Sequence, residues 1–167
     1  MEKLGIDIGR VLITPDDIEN GPDTSFIGGS LADALATPPY PGMFDTVPRL
    51  VQRFGGRVWL VSKCGPSVQE KTRQWLRHHE FFERTGIPPE HLRFCLKRPQ
   101  KADHCLELGL THFVDDRADV LQHLEGAVPH RFLFGPQRMP MNLPGAVPVL
   151  TWAQAEEAIV RSLLRAA

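Results

Sequence analysis

Short apolar runs, each bounded by polar or turn-forming residues, recur along the chain. The runs are KLGIDI (3–8), RVWLVS (57–62), LRFCL (92–96), THFVDD (111–116), HRFLF (130–134) and AVPVL (146–150). Uninterrupted apolar runs of this length are typical of strands that are buried on both faces of a sheet. The pattern therefore predicts six strands, and Asp7 lies at the end of the first.

The first two long segments between these runs carry helix signals. Asp45 or Thr46 can cap a helix that runs to Phe54, because each offers a side-chain oxygen to the first free backbone N–H groups. Pro66 is suited to the first turn of the next helix, and the prolines of segment 87–89 end it. The stripe of that helix predicted to face the core is Val68, Thr72, Trp75, Leu76 and His79.

Three further helices are predicted in the second half of the chain. Two cover about 99–108 and 117–124, and the last begins after Thr151, where Gln154 completes a capping box. Residues 14–42 are rich in proline and glycine, so we expect mainly loop there, with a helical turn or two at 30–36. Strands that alternate with helices predict an α/β domain with a mostly parallel sheet.

Polar residues follow several of the predicted strands at the point where each strand ends. Asp7 ends the first run, Ser62 ends the second, and Asp115 and Asp116 end the fourth, while Lys101 begins the helix that leads into the fourth. In parallel α/β sheets the ligand site lies at the carboxyl ends of the strands. We therefore expect these side chains to meet at one edge of the sheet.

Several carboxylates held close together repel one another unless a cation offsets their charge. Asp7, Asp115 and Asp116 therefore suggest a divalent metal, and a set of oxygen ligands favours Mg²⁺. Lys101 and Ser62 would add a positive charge and a hydroxyl donor, which suit the oxygens of a phosphoryl group. Asp7 then lies where a nucleophile is needed.

Four short segments of the sequence resemble the motifs of the haloacid-dehalogenase (HAD) superfamily. DIGRVL (7–12) is similar to the first motif, D-x-D-G-[TV]-[LV], and LVS (60–62) is similar to the second. Lys101 corresponds to the lysine of the third motif, and VDDRAD (114–119) corresponds to the acidic fourth motif. The four segments occur in the family's order and extend from residue 4 to about residue 120.

The resemblance implies a Rossmann-like sheet with helices on both faces and a Mg²⁺-dependent phosphohydrolase. Asp7 would attack the phosphoryl group to form an aspartyl-phosphate, which water then hydrolyses. Mg²⁺ would bind Asp7, the Gly9 carbonyl and one or both of Asp115 and Asp116. Ser62 and Lys101 would hold the phosphoryl oxygens, although Lys63 or Lys97 could take the lysine's place.

Gly9 departs from the family's pattern, because a second aspartate usually occupies this position, protonates the leaving group and activates water. Loss of a general acid/base typically lowers the rate roughly 10²- to 10⁴-fold. Asp16 or Asp17 in the following loop could supply the missing carboxyl group. Gly9 therefore also favours an alternative function, a catalytically impaired module that binds Mg²⁺ and phosphate or a protein.

Specificity in the family usually lies in a cap domain inserted after the first or the third motif. Here the first gap holds only the Pro-rich loop 14–42 and a helix, and the gap from Ser62 to Lys101 is predicted to hold one long helix and a turn. We therefore expect one domain over residues 1–167 with a minimal cap or none. Such an open site either admits a bulky substrate or is closed by a second subunit in a homo-oligomer.

Composition narrows the classes of partner. The chain has 167 residues, and its 19 Lys and Arg nearly balance its 20 Asp and Glu, which argues against nucleic acid as a ligand. The three cysteines show no metal-binding or disulfide spacing, and no apolar run is long enough to span a bilayer. These features predict a soluble cytoplasmic protein, and the resemblance to the HAD superfamily implies a small phosphorylated substrate.

A bacterial receiver domain is a third hypothesis, because receivers also combine an acidic pocket with Ser/Thr and Lys. In receivers the paired acids end the first strand and the lysine comes last. Here the acidic pair at Asp115 and Asp116 follows Lys101 in the chain, which favours the HAD resemblance.

Overall fold

The computed structural model describes residues 1–16, 18, 24–139 and 142–166, and its centre is a six-stranded sheet. The strands are β1 (Leu4–Ile6), β2 (Val58–Lys63), β3 (Leu92–Cys95), β4 (His112–Asp115), β5 (His130–Phe134) and β6 (Ala146–Val149). Their order across the sheet is β3-β2-β1-β4-β5-β6, and every neighbouring pair is parallel. The predicted α/β class and parallel sheet are confirmed.

The first strand occupies the middle of this sheet. Leu4 pairs with Val58 of β2 on one side and with His112 of β4 on the other. The three strands run in the same direction, so their carboxyl ends lie side by side. The sheet thus brings together the strand ends at residues 7, 62–63 and 115.

The described part of the chain contains eight α-helices, of which seven lie between strands and the last follows β6. They are α1 (Thr24–Gly28), α2 (Leu31–Ala36), α3 (Met43–Arg53), α4 (Pro66–His78), α5 (Phe81–Thr85), α6 (Arg98–Leu108), α7 (Ala118–His123) and α8 (Trp152–Ala166). The described chain contains no helix with the length and apolar character required to cross a bilayer.

The helices cover both faces of the sheet, as predicted. Residues of α3, α4, α5 and α8 join Leu4 and Ile6 in the larger core, which contains Trp75 and Trp152. Residues of α6 and α7 form the second core around Phe113 and Leu121. Burial of these apolar side chains on two faces holds the central strands in place.

Gly5 is required by the close packing of the second core. A Cβ atom at Gly5 would lie 2.5 Å from Phe113 Cδ2 and 2.6 Å from Leu110 Cδ1. No side chain larger than hydrogen fits there without displacing Phe113. The absence of a side chain at Gly5 thus lets the Phe113 ring lie across β1.

Two predicted helix boundaries are wrong. The helix expected to start at Asp45 or Thr46 begins at Met43, after Gly42 with φ of 80°, so both candidate caps lie inside it. The single helix expected after Pro66 is two helices, because Glu80 adopts the left-handed conformation with φ of 52° and breaks the helix. Left-handed residues end helical geometry regardless of the apolar pattern on either side.

Within the Pro-rich segment 14–42, the residues that the structure describes include two short helices, α1 and α2. The turns predicted at 30–36 correspond to α2, which begins with a capping box between Ser30 and Asp33. Lys71 Nζ on α4 donates to the carbonyl oxygens of Ile27 and Gly29 at 3.0 and 2.7 Å, which ties the end of α1 to the body of the protein. Asp17, one of two carboxylates considered as a substitute acid, lies outside the described residues.

Candidate active site

A tight turn directly follows the first strand. The backbone N–H groups of Leu12 and Ile13 both donate to the Ile8 carbonyl, and Arg10 N donates to Ile13 O at 3.0 Å. Arg10 has φ of 64°, a conformation that is uncommon for residues other than glycine and asparagine. The turn places the backbone from Gly9 to Ile13 beside Asp7.

Lys101 connects two of the predicted acidic residues. Its Nζ donates to Asp7 Oδ1 at 3.0 Å and to Asp115 Oδ2 at 2.7 Å, and the residue is only 2% exposed. Burial alone would lower the pKa of Lys101, but the two carboxylates outweigh it and raise the pKa well above its usual value. Lys101 is therefore a permanent buried cation between β1 and β4.

The two adjacent aspartates occupy different environments. Asp115 is fully buried, and besides Lys101 it accepts a hydrogen bond from Arg117 N at 3.0 Å. Burial, followed by the charge of Asp7, raises its pKa to about 6. The side chain of Asp116 is 14% exposed and lines the open cleft, whereas Asp115 is fully buried and does not line it.

The three carboxylates form one group. Asp7, Asp115 and Asp116 each offer an oxygen, and these oxygens all lie within 4.8 Å of one another. Burial and the charges of Asp7 and Asp115 raise the pKa of Asp116 well above its usual value. Arg10 Nε lies 3.5 Å from Asp116 Oδ2 and offsets part of this charge. The arrangement suits a cation with oxygen ligands, since the repulsion would be relieved by one.

Ser62 and Lys63 lie at the mouth of the same site. With Asp7, Gly9 and Asp116 they line a cleft of about 300 Å³ at the carboxyl ends of β1, β2 and β4. The seven sequence-predicted site residues are thus brought together, with Lys101 and Asp115 beneath the cleft floor. Lys97, the other lysine considered, is an exposed residue at the start of α6 and does not line this cleft.

Cys64 also lines this cleft, but its environment does not favour a thiolate. Burial is the main cause that raises the pKa of its thiol. A nucleophilic cysteine needs a lowered pKa. Asp7 therefore remains the nucleophile candidate of this cleft.

A second cleft of about 350 Å³ adjoins the first, and the sequence did not predict it. Its lining includes Arg10, Asp116 and Arg117, which the two clefts share, and also Arg138 and Tyr40. The loop that closes this cleft follows β5, which carried no motif. Only the three-dimensional arrangement places its side chains beside those of the first motif.

Glu2, His112 and His130 form another group of side chains that could hold a metal. However, the rings of His112 and His130 are stacked with centroids 4.4 Å apart. Both nitrogens of His112 already have hydroxyl partners at 2.8 Å, Thr111 Oγ1 and Ser162 Oγ. Burial, followed by the charge of His130, lowers the pKa of His112 to about 4, so it is a neutral core residue.

Comparison of the sequence with protein-family models finds no match, and comparison with curated proteins finds none either. The fold is similar to solved structures. A HAD family hydrolase from Deinococcus radiodurans R1, with bound phosphate and sodium, has a TM-score of 0.64 and 13% identity over 98% of this chain and 97% of that chain. A haloacid dehalogenase-like family hydrolase from Xanthomonas campestris has a TM-score of 0.67 and 13% identity, over 98% and 96% of the two chains.

These similarities extend over nearly the whole length of each chain. The TM-scores of 0.64 and 0.67 show a shared fold, and at 13% identity the similarity shows the fold alone. The chain therefore has the HAD-like fold, as the order of its four motifs implied.

Proposed function

We propose that the protein is a Mg²⁺-dependent phosphohydrolase that uses Asp7 as its nucleophile and acts on a small phosphorylated metabolite. The observation that carries this proposal is the position of Asp7. Its carboxylate contacts the buried Lys101 at 3.0 Å, lies within 4.8 Å of two other carboxylates and lines a cleft with Ser62. The same fold occurs in hydrolases, one of which binds phosphate.

The residues of the site fit a divalent cation. Asp7, Asp116 and the Gly9 carbonyl would hold Mg²⁺ at the cleft floor, and Asp115 would orient Lys101 from behind. When bound, Mg²⁺ supplies neutralisation of the carboxylates and polarisation of the phosphoryl group. Burial, followed by the charges of Asp7 and Asp115, raises the pKa of Asp116, and a cation there would relieve the repulsion among these carboxylates.

Each protein group has a distinct role in the proposed reaction. The Asp7 carboxylate forms a bond to phosphorus while the bond from phosphorus to the leaving oxygen breaks, which gives an aspartyl-phosphate. Lys101 and Ser62 hold the phosphoryl oxygens and stabilise the negative charge that develops on them. Water then cleaves the aspartyl-phosphate, which releases phosphate and restores Asp7.

Gly9 determines which esters the enzyme hydrolyses well. Without an acid at this position, the leaving oxygen departs with little help from a proton, so leaving groups of low pKa are favoured. The backbone of Gly9 is outside the left-handed region, so an aspartate there meets no conformational barrier. Gly9→Asp therefore tests the missing acid directly.

The experiment measures hydrolysis of p-nitrophenyl phosphate with Mg²⁺ and with EDTA. We expect Mg²⁺-dependent turnover by the wild type and its loss in Asp7→Asn, while Asp103→Asn on the exposed face of α6 serves as the matched control. Gly9→Asp should raise the rate for alkyl phosphates, whose leaving groups need a proton, more than for p-nitrophenyl phosphate. Turnover that survives in Asp7→Asn would refute the nucleophile assignment.

Gly9 also favours a second candidate function, a module that binds Mg²⁺ and phosphate or a protein without turnover. The same assays separate the two. A wild type that is inert on every ester, together with a Gly9→Asp variant that hydrolyses them, supports the binding module.

A further inference from the structure

The cleft that contains Asp7 has an apolar wall. Four apolar side chains of the described residues line it, those of Ile13, Phe26, Ile27 and Val68. Asp7 lines the same cleft, so a phosphate ester with its phosphoryl group beside Asp7 has its leaving group in the space that this wall bounds. Apolar parts of a leaving group that contact the wall are removed from water, which favours binding.

Ile27 has the most apolar surface to offer a ligand. It is 53% exposed, whereas Ile13 and Phe26 are only 1% and 5% exposed because they also pack in the larger core. A large apolar side chain that lines a cleft in contact with water is stabilised when a ligand covers it. Ile27 should therefore contribute more to ligand binding than the two buried side chains beside it.

The helix that carries Ile27 is held in place from outside. α1 has only five residues, too few to be stable as an isolated helix. Lys71 Nζ on α4 donates to three carbonyl oxygens at its C-terminal end, those of Phe26, Ile27 and Gly29, at 3.3, 3.0 and 2.7 Å. A helix leaves these last carbonyl groups without partners of its own. Lys71 thus fixes the wall before a ligand binds, which lowers the cost of binding.

Two residues of α4 continue the wall. Val68 packs against the larger core and remains partly exposed. Thr72 Oγ1 donates to the Val68 carbonyl at 2.7 Å, so the proton of this hydroxyl group is used within the helix and is not offered to a ligand. These contacts favour an apolar group over a hydrogen-bonding one on this side of the cleft.

Gly9 gives a second, independent indication of the leaving group. It occupies the position of the usual acid, so the leaving oxygen departs with little help from a proton. A phenol has a pKa of about 10 and departs as its anion far more readily than an alkyl alcohol does. Phenols also carry an apolar ring. An aryl leaving group therefore satisfies both Gly9 and the apolar wall.

We propose that the substrate is an aryl phosphate whose aromatic ring packs against Ile27, Phe26 and Val68. This inference rests on the proposed function, because it takes the phosphoryl group to lie beside Asp7. It adds the substrate class, which the motifs do not specify. The reaction consumes one water molecule and releases the phenol and inorganic phosphate.

One matched pair of substrates tests the apolar wall. 2-Naphthyl phosphate and phenyl phosphate release phenols of similar acidity but differ in apolar area. We expect kcat/KM to be higher for the naphthyl ester by about tenfold, the lower end of the effect of an added methylene group in an apolar pocket. Equal values of kcat/KM for the two esters would overturn the inference.

A second pair tests the requirement for a phenol. Phenyl phosphate and benzyl phosphate carry the same ring, but only phenyl phosphate releases a phenol. We expect kcat/KM to be higher for phenyl phosphate by about tenfold or more, because the benzyl leaving group needs the general acid that Gly9 does not supply. Gly9→Asp should narrow this difference. Hydrolysis of benzyl phosphate as fast as that of phenyl phosphate by the wild type would also overturn the inference.

Variants of Ile27 assign the naphthyl preference to the wall. Ile27→Ala should remove most of the preference, and Ile27→Leu, which keeps the apolar area, should retain it. Leu31→Ala is the matched control and should retain it too, because Leu31 is 46% exposed on the neighbouring α2 and lines neither cleft. A preference that Ile27→Ala retains in full would refute the assignment of the ring to this wall.

Binding separates this inference from the proposed function. Calorimetric titration of 2-naphthyl phosphate and phenyl phosphate into Asp7→Asn with Mg²⁺ should show the same preference, and the additional substitution Ile27→Ala should abolish it. If no ester is hydrolysed but the preference in binding is present, the hydrolase proposal fails and the aryl-binding wall stands. If esters are hydrolysed through Asp7 without any preference, the inference fails and the hydrolase proposal stands.

Discussion

Substitution of Lys101 by methionine removes a buried cation from between two buried carboxylates. Nζ lies 2.7 Å from Asp115 Oδ2 and 3.0 Å from Asp7 Oδ1. At an effective dielectric constant of about 20, each contact represents about 6 kcal/mol of gross attraction. Most of this is offset by the cost of removing the ammonium group from water, and removal of one partner from a buried ion pair typically costs about 3–5 kcal/mol.

We therefore expect Lys101→Met to lower the free energy of unfolding by about 3–5 kcal/mol in EDTA. Urea unfolding followed by circular dichroism measures this loss. Lys97→Met, an exposed lysine at the start of the same helix, is the matched control, with an expected change within about 0.5 kcal/mol.

Mg²⁺ should partly restore the variant. Lys101 and the metal both compensate the charge of Asp7, so removal of Lys101 should tighten Mg²⁺ binding. If the variant binds Mg²⁺ tenfold more tightly than the wild type, saturating Mg²⁺ should stabilise the variant by about 1.4 kcal/mol more than it stabilises the wild type. Two results would refute the reasoning that metal and lysine compensate the same carboxylates. One is a decrease in the unfolding free energy of less than about 1 kcal/mol in EDTA, and the other is an equal stabilisation of both proteins by Mg²⁺.

Three further predictions concern stability and are measured by urea unfolding. Gly5→Ala should cost about 1–3 kcal/mol because its methyl group would overlap the Phe113 ring, whereas Gly28→Ala, which meets no atom, should not. The folded-state pKa of His112 lies near 4, below the ordinary 6.5. The stability that the neutral His112 contributes to the folded state is therefore fully present above pH 6.5 and is lost as the pH falls towards 4. The wild type should therefore lose about 3 kcal/mol over this range that His112→Gln does not lose, and equal slopes would contradict the assignment. Trp152→Phe should cost about 1–3 kcal/mol, because the hydrogen bond from Nε1 to Val11 O at 2.9 Å is buried, and an unchanged stability would show that another group satisfies this carbonyl.

The strand ends could be predicted from the sequence because a parallel sheet imposes a simple rule. Asp7, Ser62 and Asp115 each follow an apolar run, and strands buried on both faces need such runs. The order of the motifs then identified Lys101, although surface lysines nearby carried the same local signal. The four-motif pattern thus predicted which side chains meet in the candidate site without any knowledge of side-chain contacts.

Features set by the backbone or by distant packing escaped prediction. The left-handed conformation of Glu80 splits a helix, although glutamate favours helices and gives no local warning. Arg10 lies opposite Asp116 only because β1 and β4 are neighbours, a contact between residues far apart in the chain. The arginine-rich second cleft likewise depends on the loop after β5, which resembles no motif.

The central position of β1 has a consequence for how the polypeptide acquires its structure. Lys3 N donates to Thr111 Oγ1 across a sequence separation of 108 residues. Strands paired over such distances incur a large loop-closure entropy, so proteins rich in such contacts fold slowly. During translation β1 leaves the ribosome before either neighbour exists. Its edge towards β2 can pair once residues 58–63 are synthesised, but its edge towards β4 has no partner until residues 112–115 are synthesised. Nascent chains that stop before residue 112 should therefore be prone to aggregation.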